Sequence, residues 1–259
     1  MKFDDLDAKM RVYETAHDHR VLPEVHVVAR VDGRNFTRLT KDVHAFEAPF
    51  DARFRDLMLD TVEHLMDCGF RVVYGYTQSD EISLLFHRDE QAFGRKARKY
   101  NSVLAGEASA RFSRLLGAHA CFDCRVCELP NAGLVRDYFR WRAEDARRNA
   151  LNAHCYWALR NDGRPAGEAT DALRGLSVAD KNDMLRRRGT DFDDLPAWQT
   201  RGVGLWWETY ERDATNPTTG ETVAAIRRRV RRELELPAGE AYERLVLGLV
   251  NAGAANGAV

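Results

Sequence analysis

The sequence predicts an α+β fold: a ferredoxin-type βαββαβ antiparallel sheet with additional helices and a C-terminal β-hairpin. Three observations carry that prediction. Two apolar runs, 25–31 (VHVVARV) and 70–77 (FRVVYGYT), are separated by a stretch of helical period. The second run is joined to a third, 82–87 (ISLLFH), by the polar turn Gln78-Ser79-Asp80-Glu81, which is a hairpin signal. A further long helical pattern then leads into a fourth apolar run at 120–129.

Taken in order, residues 1–20 read as a charged helix with apolar Phe3, Leu6, Met10 and Tyr13. The first strand ends in Asp32-Gly33-Arg34-Asn35-Phe36, which reads as a turn rich in hydrogen-bonding groups. Pro49 opens a helix to about Asp67, with Phe50, Phe54, Leu57, Met58, Val62, Leu65 and Met66 at helical spacing and Gly69 as its stop. Residues 91–116 read as one long helix with a basic first half. Helices 136–160 and 177–188 follow, the second ending in Arg186-Arg187-Arg188. A strand at 203–211 and residues 222–230 form a hairpin through Asn216-Pro217-Thr218-Thr219-Gly220, and the closing NAGAANGAV reads as frayed. Without a repeat or linker, 1–259 reads as a single domain, its core at about 20–130 and a helical part at about 131–259.

The formal net charge is −1, which excludes a wholly basic nucleic-acid coat. The charge is nevertheless segregated: −6 over residues 1–90, +7 over 91–160 and −2 over 161–259. An acidic first third suits a cation and a basic middle suits phosphates. The N-terminus MKFDDLDAKM has no apolar core of a signal peptide, no apolar run reaches membrane-spanning length, and the five cysteines are odd in number. A cytoplasmic, reduced protein without a membrane partner is expected. Cys121-x2-Cys124-x2-Cys127 lies in a predicted strand, where Cys124 points away from the other two, so a metal site is not expected there.

The chemistry concentrates at one sheet edge. The first and third strands are central neighbours in this topology. Asp32 at the end of the first therefore lies beside Asp80 and Glu81 at the start of the third. Three converging carboxylates invite a hard cation with oxygen ligands such as Mg²⁺, and two aspartates on adjacent strands are the two-metal arrangement of nucleotidyl-transfer palms. Gly33 permits close backbone approach, and the N–H groups of Arg34 and Asn35 suit phosphate. Arg95, Lys96, Arg98 and Lys99 open the second long helix, with 95, 98 and 99 on one face that suits a triphosphate.

Arg30-Val31-Asp32-Gly33-Arg34-Asn35-Phe36 and Gln78-Ser79-Asp80-Glu81 resemble the metal motifs of the tRNA-His guanylyltransferase family. The resemblance continues through Phe122-Asp123-x-Arg125-Val126, Asp137-Tyr138-Phe139-x-Trp141-Arg142, Ala150-Leu151-Asn152-x-x-Cys155-Tyr156-Trp157 and Lys181-Asn182-Asp183. It ends around Leu195–Gln199 and Arg201-Gly202-x-Gly204, and so spans roughly residues 5–212. It implies a polymerase-like palm, two Mg²⁺ ions, a homotetramer, and addition of nucleotides to the 5′ end of tRNA in the 3′-to-5′ direction, with ATP or GTP as activator and nucleoside triphosphates as substrates. By motif, Asp32, Asp80 and Glu81 would be catalytic. Asp32, Asp80 and the Gly33 carbonyl would hold metal. Arg30, Gly33, Arg34, Asn35, Phe36, Thr37, Ser79, Arg95, Lys96 and Lys99 would meet the nucleotide. Arg147, Asn149, Lys181, Arg186, Arg187 and Arg188 would meet the tRNA.

One departure bears on specificity. Eukaryotic members carry His-Ile-Asn-x-x-Tyr-Asn, tied to tRNA-His identity, where this chain reads Arg147-Arg148-Asn149-Ala150-Leu151-Asn152-Ala153. The form resembles the bacterial and archaeal branch, which repairs 5′-truncated tRNAs by copying the opposite strand. Base pairing then selects the nucleotide, and a sequence-indifferent basic surface suffices. Strict addition of G to tRNA-His, a nucleotidyl cyclase and a silent RNA-binding module are the alternatives.

Overall fold

The computed structural model describes residues 1–215 and 222–255. Strand β1 (His26–Arg34) alternates. Val27, Ala29 and Val31 pack on one side, and Val28, Arg30 and Asp32 turn to the other. The sheet order is β4-β1-β3-β2-β5-β6, every pairing antiparallel, with β2 Val72–Gln78, β3 Glu81–Phe86, β4 Cys121–Leu129, β5 Val203–Thr215 and β6 Thr222–Glu233. The predicted turn at 216–220 lies outside the described residues.

Helices α3 (Ala52–Met66) and α4 (Ala97–Leu116) cover one face of the sheet. Met58, Val62 and Leu65 of α3 and Tyr100, Leu104 and Phe112 of α4 meet Val31, Ile82 and Leu84 in a fully buried cluster. Asp51 caps α3 by accepting from the Arg53 N–H at 2.7 Å. The other face is covered too. Helix α5 (Ala132–Asn161) and helix α9 (Gly239–Ala255) bring Val135, Phe139, Tyr242, Val246 and Val250 onto Val28, Tyr74, Tyr76 and Leu85. Residues 251–255, read as frayed, are the last turn of α9, held by the i, i+4, i+8 stripe Tyr242, Val246, Val250.

The distal half of α5 runs past the sheet and packs through Ala150, Leu151 and Cys155 against Leu185 of α7 (Val178–Arg186) and Phe192. Helix α6 (Ala166–Leu173), absent from the sequence reading, also packs on α5. Helix α8 (Ala197–Thr200) leads into β5. Helix α1 (Phe3–Thr15) buries none of its side chains, and Phe3, Met10 and Tyr13 are exposed.

Strand β4 behaves as alternation requires. Cys121 and Cys127 stand opposite Arg34 and Val28, whereas Cys124 stands opposite Val31 and packs into the other cluster. Burial pushes its thiol up to about 12, in keeping with a small side chain packed in the core. The tryptophans of β5 are packed in the same way: Trp206 against Tyr74, and Trp207 with its indole N–H donating to the Val72 carbonyl at 3.1 Å.

Candidate active site

Asp32 lies inside β1 rather than in a turn, and it stands directly opposite Glu81 of β3. The turn from β2 to β3 is two residues, Ser79-Asp80, with Ser79 at φ +50°. The Gly33 N–H donates to the Asp80 carbonyl at 3.0 Å, which ties the turn to the end of β1. A Cβ at Gly33 would fall 2.6 Å from the Phe36 ring and 2.9 Å from the Asp80 Cβ, so only glycine permits this closure. Asn35 then takes φ +62° and turns the chain into α2 (Phe36–Arg38) and a π-helical turn, Leu39–Val43. Phe36 anchors the segment among Phe54, Phe112 and Phe122, with centroids 4.9–6.1 Å away.

The three carboxylates are thus brought to one edge, but their circumstances differ. Asp80 accepts from the Ser79 hydroxyl at 3.1 Å, and burial together with the charge of Asp32 raises its carboxyl above the ordinary range. Asp32 has guanidinium nitrogens of Arg30 and Arg125 only at 4.0 and 3.9 Å. Glu81, by contrast, is taken. Arg142 of α5 donates to both its oxygens, Nε to Oε1 at 2.6 Å and Nη2 to Oε2 at 2.7 Å, and Arg30 stands 3.6 Å away. Burial raises the Glu81 carboxyl while Arg142 pulls the other way. Among the described residues no group of three His, Cys, Asp or Glu is set to enclose a metal. The donor set that fits a divalent cation is therefore two oxygen-bearing aspartates whose mutual repulsion it would relieve, which suits Mg²⁺.

A cleft opens over Asp80. Its wider lobe, about 620 Å³, lies between the segment after β1 and helices α5, α6 and α7. Phe36, Thr37, Ser79 and Asp80 line it on the sheet side, and Asn152, Tyr156, Trp157, Arg174 and Lys181 on the helical side. Lys41 projects into it with its ammonium 5.7 and 5.6 Å from the Tyr156 and Trp157 ring centroids. A narrower lobe, about 370 Å³, reaches Asp32, Glu81, Arg142 and Asn149 and shares Lys41, Ser79, Asp80 and Trp157 with the first. The cleft has the size of a small-molecule site, with acid at its floor and cations at its rim.

Several residues expected at the nucleotide lie elsewhere. Helix α4 leads into β4, and β4 begins opposite Arg34, so the start of α4 lies at the far end of the sheet from Asp32. The basic cluster there is spent on structure. Arg95, in a 3-10 turn (Ala92–Arg95) rather than in the helix, is buried. It donates to the carbonyls of Glu90 and Leu22 at 2.7 Å, Val21 at 3.2 Å and Arg88 at 3.3 Å. Lys96 pairs with Asp18 at 2.6 Å, Arg98 pairs with the same carboxylate, and Lys99 lies 5.7 Å from the Phe93 ring centroid. Conversely, Lys41 and Arg174 were not read from the sequence as site residues. Lys41 sits in an irregular turn and Arg174 follows the unpredicted α6, so no periodicity marked either.

Of the residues expected at tRNA, Lys181 lines the wider lobe and Asn149 the narrower one. Arg147 pairs with Asp193 at 2.6 Å, Arg186 with Asp191 at 3.1 Å and Arg188 with Asp162 at 2.8 Å, while Arg187 is exposed. Such exposed pairs are weak and exchange readily for phosphate.

The family model described as tRNAHis guanylyltransferase matches residues 7–130, and one described as Thg1 C terminal domain matches 133–238. The chain is similar to a probable tRNA(His) guanylyltransferase of Mus musculus, 30% identical over 227 residues that cover 81% of this chain and 76% of the relative. Among solved structures it is similar to a bacterial tRNA(His) guanylyltransferase (Thg1)-like protein in complex with ATP. That likeness is 26% identical with a TM-score of 0.72, over 95% of this chain and 99% of the other. A structure of such a bacterial protein in complex with GTP gives 26% and 0.71 over the same shares. The palm-like α+β sheet, the closure of Gly33 on Asp80 and these likenesses agree: this chain belongs to the tRNA(His) guanylyltransferase family of nucleotidyltransferases.

Proposed function

We propose that this chain repairs tRNA by template-dependent addition of nucleotides to the 5′ end, in the 3′-to-5′ direction. The observation that carries the reading is the cleft itself: two aspartates at its floor, with Lys41, Arg174, Lys181 and two aromatic rings in its walls. A nucleoside triphosphate matches that distribution, its phosphates toward the cations and its base against Tyr156 or Trp157. The bacterial neighbour's complexes with ATP and with GTP support such an occupant. A 5′-phosphate oxygen of the RNA attacks the α-phosphate of ATP or GTP and releases pyrophosphate. The 3′-hydroxyl of an incoming triphosphate then attacks the activated 5′-phosphate and releases the nucleoside monophosphate.

Asp32 and Asp80 are the residues that would hold Mg²⁺, with the Gly33 carbonyl as a further ligand and two ions in all. Bound there, Mg²⁺ neutralises phosphate charge and makes a hydroxyl a better nucleophile. Glu81, clamped by Arg142, supports the strand end rather than offering a free ligand. Lys41, Arg174 and Lys181 replace Arg95, Lys96 and Lys99 as the cations of the triphosphate site. Template dependence is favoured by Asn152, which lines the wider lobe where the eukaryotic motif has its tyrosine. Five free cysteines suit a reducing, cytoplasmic setting, and no described helix is long and apolar enough to cross a membrane. The exposed apolar side of α1 supports assembly into a homotetramer, which light scattering would read as four times the 29.5 kDa chain mass.

The test offers a 5′-monophosphorylated tRNA lacking its first nucleotide to the chain with each triphosphate separately. The expected product is the nucleotide complementary to the template base. Incorporation of G alone, whatever the template, would establish the tRNA-His-specific reading instead. Lys41→Ala and Lys181→Ala are expected to raise the KM for the triphosphate about tenfold each, the cost of losing one charge-assisted contact.

A further inference from the structure

A second surface borders Asp32 outside the cleft. Strands β1 and β4 turn Arg30 and Asp32, with their cross-strand partners Arg125 and Asp123, toward the face that carries α5. Helix α5 covers the lower part of that face, where the Tyr138 and Ser83 hydroxyls meet at 3.0 Å and Ser83 stands opposite Arg30. One turn further along α5 stands Trp141. Its neighbours hold the ring, with the Tyr138 centroid 5.9 Å away, edge to face, and the Arg142 guanidinium 4.6 Å from the indole centroid. Trp141 is nevertheless 53% exposed.

The side of α5 that meets α9 is marked by Arg136 and Arg140, which pair with Glu243 at 3.6 and 3.3 Å. At about 100° per residue, Trp141 is rotated away from that side and toward β1 and β4. On that strand pair Arg125 is half exposed, 3.9 Å from Asp32 and 3.5 Å from Asp123, and exposed Arg34 lies on the same strand face two residues past Asp32. A half-exposed indole braced by its neighbours, on the flank of α5 turned to a strand pair that carries exposed arginines on either side of Asp32, has the composition of a base-stacking and phosphate-holding surface.

We propose that Trp141, with Arg125 and Arg34, is the docking platform for the 5′ end of a duplex RNA. The indole stacks on the 5′-terminal base, and the two arginines receive the adjacent phosphates. The inference rests on the function proposed above and adds where the RNA end sits. Its location answers a geometric need: the triphosphate occupies the wider lobe over Asp80, which leaves Asp32 open to the RNA phosphate from the side of β1 and β4. Stacking is tolerant of base identity, as copying a template requires. A protein partner is the poorer fit, because the strand side of the surface presents the exposed charges of Arg34, Asp123 and Arg125.

The test is a binding cycle that needs no turnover. A fluorescein-labelled, 5′-monophosphorylated tRNA lacking its first nucleotide is titrated with the full chain without triphosphate. Trp141→Ala is expected to weaken binding about tenfold and Trp141→Phe to retain most of it. An abasic 5′-terminal nucleotide is expected to weaken wild-type binding by a similar factor and to leave Trp141→Ala almost unaffected. Arg125→Ala is expected to weaken every RNA and to lower the slope of log affinity against log salt by about one. Unchanged binding by Trp141→Ala, or an abasic penalty as large in that variant as in wild type, overturns the platform. So does a Trp141→Ala chain whose molar mass falls, which assigns the indole to a subunit contact. The two readings fail separately. A wild type that adds nucleotides while the cycle shows no coupling refutes the platform alone. A coupled cycle in a chain that adds none refutes the function alone.

Discussion

Asp80→Asn is expected to abolish most nucleotide addition while leaving the protein more stable. Loss of one charged group at the reacting centre costs on the order of 10²- to 10³-fold in rate. The gain in stability follows from the same surroundings. Burial and the charge of Asp32 hold the Asp80 carboxyl above its ordinary range, so at neutral pH the ionised form works against folding. The amide keeps the shape and an oxygen for the Ser79 hydroxyl and removes the repulsion. For a chain of this size, each kcal/mol of relief raises Tm by roughly 2–4 °C. Calorimetry and an incorporation assay on one preparation check both halves. A variant that lost activity and stability together would show that Asp80 holds the fold rather than the reaction.

Arg142→Met is expected to be the most destabilising single change at the site. Side chains of Arg142 and Glu81 are only 5% and 10% exposed, and the pair is bidentate. Removing Arg142 leaves the buried Glu81 carboxylate only Arg30 at 3.6 Å and takes the 3.1 Å partner from Asp145, which together cost about 3–5 kcal/mol. Adding Glu81→Gln is expected to restore much of that loss, because the stranded charge is removed with it. Urea denaturation of the two single variants and the double variant gives the coupling directly. Additive losses would mean that the pair contributes nothing beyond its separate packing.

The palm was legible because its signals are local or topological. The split arrangement alone placed the end of the first strand, and Asp32 with it, beside Glu81, where the register has them opposite. Alternation along the fourth strand separated Cys124 from Cys121 and Cys127. The Arg142–Glu81 clamp was invisible because it joins residues 61 apart that carry no shared pattern. Helix α9 was overlooked although Tyr242, Leu245, Val246, Leu249 and Val250 recur at helical spacing, because the stretch carries no motif and follows the arginine run that drew the reading to a hairpin. The basic cluster 95–99 was misplaced for a different reason. Its helical face was judged from spacing, but the direction of α4 was already implied: a helix that feeds a strand antiparallel to β1 starts at the wrong end. Arg95 adds a further lesson, since a buried guanidinium with four carbonyl partners looks in sequence like one free for phosphate.

Helix α5 gives the chain its continuity. The two family matches meet between residues 130 and 133, just where this helix begins, so the sequence has a seam there. The molecule has none. The first half of α5 closes the sheet with Val135 and Phe139 and neutralises Glu81, and the second half builds the wall of the cleft with Asn152, Tyr156 and Trp157. Severed at the seam, the N-terminal part would show water an apolar sheet face and a carboxylate without its cation. The two matched segments therefore share one folding unit through α5, which belongs by sequence to the second and by its contacts to both.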